Sequence, residues 1–348
     1  MDALPSYGDL KSRYCMSSLQ SDFIKQSRQT IINILNGIDP RLLLIIGPCS
    51  IHDLKSAREF AEQLKELAAA ISSQFFTVMR VYCEKPRTTA GWKGILYDPF
   101  LDGSNQIKAG IELTRQLLLD LADLGVPAAT EFLDPLTAYY YNDLISWGSI
   151  GARTSSSQTH RQLASGLAMP MGIKNGIAGN VSAAIDGVIA ASLPHAYIGI
   201  NSAGVKSIIR TNGNPNAHIV LRGGESGPNY DPLSVSDALS KLEQASLSPR
   251  LVIDCSHHNS NKQHYHQTVV FQSLLQQIIE GNTNIRGCLL ESHLFAGSQP
   301  LTGDPKQLEY GISITDPCLD WKTTRHLLLW GAEHFAQHHF NRLCTFHA

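Results

Sequence analysis

From Leu42 onward the chain repeats one arrangement, a short apolar run rich in β-branched residues followed by a longer amphipathic stretch of helical period. The runs fall at 42–46 (L-L-L-I-I), 75–82 (F-F-T-V-M-R-V-Y), 127–131 (P-A-A-T-E), 149–153 (S-I-G-A-R), 169–174 (M-P-M-G-I-K), 250–255 (R-L-V-I-D-C) and 286–291 (R-G-C-L-L-E). Helical patterns occupy 57–71, 107–124, 136–147, 160–166, 180–191, 265–280 and 323–338. Near-continuous apolar strands alternating with helices specify a parallel sheet covered on both faces. Two further runs, 195–201 (H-A-Y-I-G-I-N) and 218–222 (H-I-V-L-R), flank a piece that reads as an inserted hairpin. With one strand counted from that pair, eight βα units fill about 300 residues, which predicts an α/β chain folded as a (β/α)8 barrel rather than an open sheet.

The expected organisation is a catalytic barrel over 41–348, with a hairpin insertion at about 202–217 near its sixth strand, and an N-terminal extension over 1–40. Residues 1–20 read as polar and irregular, and Ser21 as the cap of a helix over 22–36 that Gly37 and Pro40 end. That extension lies outside the barrel repeat and is available for subunit or regulatory contacts.

The formal net charge of -2 argues against a general polyanion binder, so no nucleic-acid partner is expected and any positive region must be local. No apolar run approaches the ~18 residues of a membrane span, and the first residues lack a basic segment followed by an apolar core. Seven scattered cysteines, an odd number, suit a reducing compartment, so the expected location is cytoplasmic.

Barrels of this kind carry their chemistry at the C-terminal ends of the strands. Those ends offer Cys49 after the first strand, Arg80 with Lys85 and Arg87 after the second, Glu131 at the third and Arg153 at the fourth. Lys174 ends the fifth, Arg222 the sixth, His257 follows the seventh and Glu291 ends the eighth. A lone strand-end arginine more often pairs with a neighbouring carboxylate than with a ligand. An ionisable or metal-capable group at all eight ends is hard to explain as surface decoration.

The set divides in two. Arg80, Lys85, Arg87, Arg153, Lys174 and Arg222 form a converging cationic basin whose charges repel unless an anion fills it. Six cations suit two phosphorylated substrates better than one. Pro86 stops the second strand and holds Lys85 extended. Neither G-x-x-x-x-G-K-[ST] nor G-x-G-x-x-G stands at a strand-to-helix turn, which argues against nucleotide cofactors. The second group is Cys49, His257 and Glu291, with Asp316 in the loop after the eighth strand. A mixed S/N/O set suits one divalent transition metal (Mn, Fe, Co, Zn or Cu) rather than Mg or Ca. A metal beside two anionic substrates, with no redox cofactor, points to Lewis-acid polarisation of a carbonyl and to carbon–carbon bond chemistry.

The segments I-G-P-C-S-I-H-D (46–53), M-R-V-Y-C-E-K-P-R-T-T-A-G-W-K-G (79–94), E-F-L-D (131–134), S-W-G-S-I-G-A-R-T (146–154), K-N-G (174–176), L-R-G-G (221–224), I-D-C-S-H-H-N-S (253–260), E-S-H-L (291–294) and S-I-T-D-P-C (313–318) closely resemble the microbial type I 3-deoxy-D-arabino-heptulosonate 7-phosphate (DAHP) synthases. The likeness runs from about residue 30 to residue 332. It implies condensation of phosphoenolpyruvate with erythrose 4-phosphate, releasing phosphate, as the first step towards chorismate. By motif position it implies Cys49, His257, Glu291 and Asp316 as metal ligands. Arg80, Lys85, Arg153, Lys174 and Arg222 match the phosphoenolpyruvate contacts, with Glu131 acting through a water. Arg87 and Thr88 match the pair that holds the phosphate of erythrose 4-phosphate. Lys85, between basin and metal group, is the expected general acid. The octulosonate synthases carry a different loop where this chain has K-P-R-T-T.

Two departures from the family pattern, Ser156 in T-S-S-S-Q and Ile177 with Ala178 in K-N-G-I-A-G, remove none of these residues. The resemblance also implies inhibition by an aromatic amino acid at a separate pocket, whose walls here are Pro135, Leu136, Ala138, Tyr139, Leu167, Ala168 and Met169. Ala138, Tyr139 and Ala168 depart from the phenylalanine-sensitive pattern, and G-I-N-S-A-G (199–204) favours tyrosine. A homodimer or homotetramer is expected. Cys49 and Cys318 fall in the same pair of loops, which suggests a redox-sensitive thiol pair.

Overall fold

The apolar runs close into a single parallel barrel in a computed structural model, which describes residues 2–301 and 303–345, the side chains of 338–345 excepted. In chain order the strands are β1 (Leu42–Gly47), β2 (Phe75–Arg80), β3 (Ala128–Glu131), β4 (Trp147–Ile150), β5 (Met171–Lys174), β6 (His195–Ile200), β7 (Lys206–Thr211), β8 (His218–Leu221), β9 (Leu251–Asp254) and β10 (Ile285–Glu291). The barrel runs β1-β10-β9-β8-β5-β4-β3-β2 and closes on itself, while β6 and β7 form a separate two-stranded sheet. Every pairing around the ring is parallel.

Period-two alternation gives each barrel strand an inner and an outer face. Ile45, Val78, Ala129, Trp147, Val220, Val252 and Leu289 fill the inside. The outer faces pack under α3 (Leu54–Ala70), α4 (Ile107–Leu124), α5 (Gln158–Gly166), α6 (Ser182–Ser192), α7 (Pro232–Gln244), α8 (Gln267–Ile279) and α9 (Trp321–Thr345). Two helices, α1 (Tyr7–Arg13) and α2 (Ser18–Leu35), precede the barrel. Among the described residues no helix is long and apolar enough to cross a membrane.

Four expectations change. The insertion is longer than 202–217, because 195–201 is an arm of the hairpin and not a barrel strand. Residues of β6 are half-buried and exposed by turns, as on a half-covered ribbon, whereas β8 is buried throughout. Residues 1–20 are not irregular, since α1 occupies part of them and α2 starts at Ser18. Its cap is Ser17, which forms a capping box with Gln20. Nor does the extension stand wholly outside the main fold: Ile31, Ile34 and Leu35 of α2 join the barrel's interior cluster. Arg28 of α2 donates to the carbonyls of Ile145 and Asn142 just before β4, so α2 closes the end where the strands begin. Finally, 136–147 is not one helix but two 3-10 turns, Thr137–Tyr140 and Asn142–Leu144.

Candidate active site

The inner faces that are apolar at mid-barrel become polar two residues later. Val78 gives way to Arg80, Ala129 to Glu131, Trp147 to Ser149, Val220 to Arg222, Val252 to Asp254 and Leu289 to Glu291, and β5 ends at Lys174. Because the side-chain period of a strand is two, these groups point into one space above the apolar plug. A cavity of about 380 Å³ opens there. All sequence-predicted site residues line it except Cys49, which is fully buried beneath.

On one side lie Cys49, Glu291 and Asp316, whose donor atoms are all within 4.8 Å of one another. The Lys85 ammonium sits among them, donating to Cys49 Sγ at 2.8 Å and to Asp316 Oδ2 at 3.0 Å. Burial pushes the Cys49 thiol up to about 12, with Glu291 adding to the rise and Lys85 opposing it. Lys85 in turn holds the half-exposed Asp316 carboxyl well below the ordinary range. His257 stands just outside this three-donor group, with Nε2 at 3.8 Å from Glu291 Oε1. Its backbone is left-handed at φ 57°, a conformation that costs a non-glycine residue free energy and is held here by the loop. Its Nδ1 bonds Ser256 Oγ at 2.7 Å and lies 3.0 Å from Asp254 Oδ2, and the two together orient the ring. A thiol and two carboxylates, already accommodating a cationic ammonium and with an imidazole alongside, fit a divalent transition metal.

Facing this group is the cationic basin. Arg80 is buried, and its Nη2 donates to Glu291 Oε1 at 3.0 Å while its guanidinium lies 3.9 Å from the Tyr82 ring centre. Its Nη1 is buried without a hydrogen-bond partner, a costly state for a charged donor that an anion in the cavity would relieve. Lys174 pairs with Glu131 at 2.9 Å and lies 3.5 Å from Asp254. Burial works to raise the Glu131 carboxyl, but Lys174, with His257 and Lys85 adding to its pull, brings the group below its ordinary value and holds it ionised. Arg222 is buried, which lowers its pKa, and its Nη1 bonds His258 Nδ1 at 2.8 Å. Arg153 is exposed at the rim and donates to Thr88 Oγ1 at 3.2 Å.

The loop that carries Lys85, Arg87 and Thr88 is drawn closed at its base by Lys85 N–H donating to the Lys93 carbonyl at 2.8 Å. Gly94 makes this closure possible: it has φ 109°, and a Cβ there would collide with the Cys83 carbonyl. Arg87, which lines the cavity, is tethered through Nε to the Trp92 carbonyl at 2.7 Å, and this bond leaves its outer nitrogens free of that carbonyl.

Sequence reasoning missed Asp254 and Tyr82. Asp254 is fully buried and is held ionised against burial by His257 and Lys174. The signal was present, because Asp254 stands two residues after inward-facing Val252. Tyr82 supplies the aromatic floor under Arg80 and Lys174.

A second cavity, of about 310 Å³, lies between α5 and the hairpin, with Tyr139, Gly166, Leu167, Tyr197 and Thr211 in its lining. The Tyr139 and Tyr197 hydroxyls meet at 2.9 Å, and Tyr7 of α1 stacks on Tyr139. Of the expected pocket walls, Tyr139 and Leu167 line it, whereas Ala138 and Met169 are buried in the core.

The sequence model of the DAHP synthetase I family matches residues 19–329. Tyr-sensitive phospho-2-dehydro-3-deoxyheptonate aldolases of Salmonella typhimurium and Escherichia coli are 48% identical over 319 residues, covering 92% of this chain and 89% of theirs. A Trp-sensitive counterpart from Buchnera aphidicola is 47% identical over 328 residues, 94% of each chain. A solved structure of phospho-2-dehydro-3-deoxyheptonate aldolase from Francisella tularensis superposes with a TM-score of 0.93 at 43% identity, over 96% of this chain and 97% of that one.

Proposed function

The chain belongs to the DAHP synthetase I family, and from that premise we propose that it condenses phosphoenolpyruvate with D-erythrose 4-phosphate to give DAHP and phosphate, the first step of the shikimate pathway. The observation that carries the assignment of roles is Arg80. One of its terminal nitrogens is spent on Glu291 of the three-donor group, and the other is buried without an acceptor in a residue that lines the cavity. A phosphate or carboxylate placed there is held directly beside the metal group.

In this reading Arg80, Lys85, Arg153, Lys174 and Arg222 bind phosphoenolpyruvate, with Glu131 acting through a water. Arg87 and Thr88 take the phosphate of the aldose. Cys49, His257, Glu291 and Asp316 hold one divalent transition metal (Mn, Fe, Co, Zn or Cu). When bound, such a metal supplies Lewis-acid polarisation of the aldehyde carbonyl. The basin fixes the enol phosphate so that its C3 faces the aldehyde carbon, replacing a bimolecular encounter by a bound geometry. Lys85 reaches both groups and gives a proton to the oxygen that becomes the new hydroxyl as the carbon–carbon bond forms. Water then adds at C2 and phosphate leaves, which balances the reaction without a redox partner.

The cavity between α5 and the hairpin takes the inhibitor, an aromatic amino acid, with tyrosine favoured. The chain works in the cytoplasm as a homodimer or homotetramer, for which the exposed Ile198–Ile208 pair of the hairpin offers apolar surface. The deciding experiment measures phosphate release from phosphoenolpyruvate with and without erythrose 4-phosphate, before and after chelation. Release should require both the aldose and the metal. Release indifferent to either overturns the assignment.

A further inference from the structure

Directly before Lys85 the chain buries a second acid that the chemistry above does not use. Glu84 is 1% exposed, and its carboxylate accepts three hydrogen bonds: from Asp134 N–H at 3.0 Å, Thr137 Oγ–H at 2.5 Å and Tyr141 O–H at 2.7 Å. All three donors are uncharged and all three lie in one segment, the turn region that follows β3. Burial pushes the Glu84 carboxyl up to about 7, against those hydrogen bonds and with Asp134 adding to the rise. A carboxylate buried without a cation at hydrogen-bond range is costly where an apolar residue would pack as well.

Its place in the chain gives the reason. The Glu84 backbone opens the loop that carries Lys85, Arg87 and Thr88, and the Glu84 side chain anchors that loop sideways to a different βα unit. The anchoring segment is itself held by its neighbours: Tyr141 stacks on Phe132 with ring centres 5.8 Å apart, and Tyr97 O–H donates to Asp134 Oδ2 at 3.3 Å. By contrast Arg80, Lys174 and Arg222 stand on barrel strands or at their ends, fixed by the strand ladders.

We infer that Glu84 is a positioning residue: it clamps the substrate loop to the turn after β3 and so sets Arg87 and Thr88 for the aldose phosphate, while phosphoenolpyruvate, held chiefly by the strand-borne Arg80, Lys174 and Arg222, depends on the clamp only through Lys85. The inference rests on the proposed reaction only for its kinetic readout.

Glu84→Gln keeps the volume but replaces one acceptor oxygen by an NH2 group, which cannot serve both the hydroxyls and the Asp134 amide. Tyr141→Phe and Thr137→Val each remove one hydroxyl. In Glu84→Gln the KM for erythrose 4-phosphate should rise and kcat should fall, together lowering kcat/KM by about a hundredfold, with phosphoenolpyruvate affinity measured by direct titration falling much less, since only Lys85 of its contacts rides on the loop. Combining Glu84→Gln with Tyr141→Phe should add little to the loss, since both break the same clamp. If Glu84→Gln fails to fold, the two hydroxyl variants carry the test with smaller shifts in the same parameter. Hydrogen exchange gives a readout independent of activity: the Lys85 amide, bonded to the Lys93 carbonyl, should exchange faster in the variants without any substrate. An inactive wild-type protein would sink the proposed reaction and leave this exchange measurement standing. Folded variants with wild-type aldose KM and wild-type exchange overturn the inference. Equal shifts for both substrates with a general loss of thermal stability do so as well, because that pattern marks a merely structural group.

Discussion

Acid should weaken this barrel through one histidine at its centre. His218 opens β8 and is buried against Trp147, whose indole N–H donates to His218 Nε2 at 3.1 Å. The other ring nitrogen, Nδ1, lies 3.0 Å from the Asn216 carbonyl and must be the donor there. Both nitrogens are therefore committed in the neutral tautomer, and a second proton has no place to go. Burial lowers the pKa from 6.5 to about 3. For a base whose folded pKa is depressed, the unfolded chain binds more protons between those two values, so stability is lost as pH falls below 6.5. At pH 5 the loss attributable to this one group is ~2 kcal/mol, and it continues to grow towards pH 3. Denaturant unfolding at pH 7.5 and pH 5 reads the difference. His218→Gln provides the control, because an amide can accept from the indole and donate to the Asn216 carbonyl without titrating. The variant should lose about 2 kcal/mol less than wild type between the two pH values; other acid-sensitive groups, such as His293, cancel in the comparison. Equal losses in both proteins would refute the argument.

Four further outcomes follow from the same geometry. Lys85→Met should lower kcat by about 10²–10⁴-fold with metal content intact, the range expected for a lost general acid; near-full turnover with metal bound removes that role. Arg80→Met leaves Glu291 buried without its partner, so unfolding should become easier by about 3–5 kcal/mol and phosphoenolpyruvate titration should show weakened binding. L-Tyrosine at millimolar levels should slow phosphate release, and an unchanged rate sets aside tyrosine as the inhibitor. Cys49 N–H lies 3.4 Å from Cys318 Sγ, so peroxide treatment of metal-free protein should consume two thiols and abolish an activity that reductant restores; intact thiols after treatment would dispose of the pair.

What could be read in the sequence, and what could not, divides along physical lines. The barrel was legible because each strand buried on both faces leaves a run of consecutive apolar residues, and the site because charge follows those runs where the fold collects it. Features set by local competition were hidden. Ser17 and Ser21 both look like helix caps, and only the Gln20 side chain reaching back to the Ser17 N–H decides between them. The stretch from Thr137 to Leu144 has hydrophobic spacing suited to a helix, but its run of tyrosines followed by Asn142 and Asp143 has weak helix propensity, and tertiary bonds to Glu84 and Arg115 hold it as short turns. His195–Ile200 alternates where β8 is continuous, and that difference marks the hairpin. Asp254 is hidden because an acid at a strand end is unexceptional in sequence until the inward parity of Val252 is carried two residues on.

The hairpin β6–β7 pairs with no strand of the barrel, while β5 pairs directly with β8 from Gly172↔His218 to Lys174↔Val220. The ring that holds the chemistry is therefore complete without the intervening ribbon. Substitutions in the ribbon change the cavity it shares with α5 and leave the spacing of the strand-end charges untouched. With the inhibitor role proposed for that cavity, copies of such a gene should diverge in sensitivity through changes in one short stretch, with the strand-end site left as it is. On that proposal, control and chemistry share one chain and yet can evolve at different speeds.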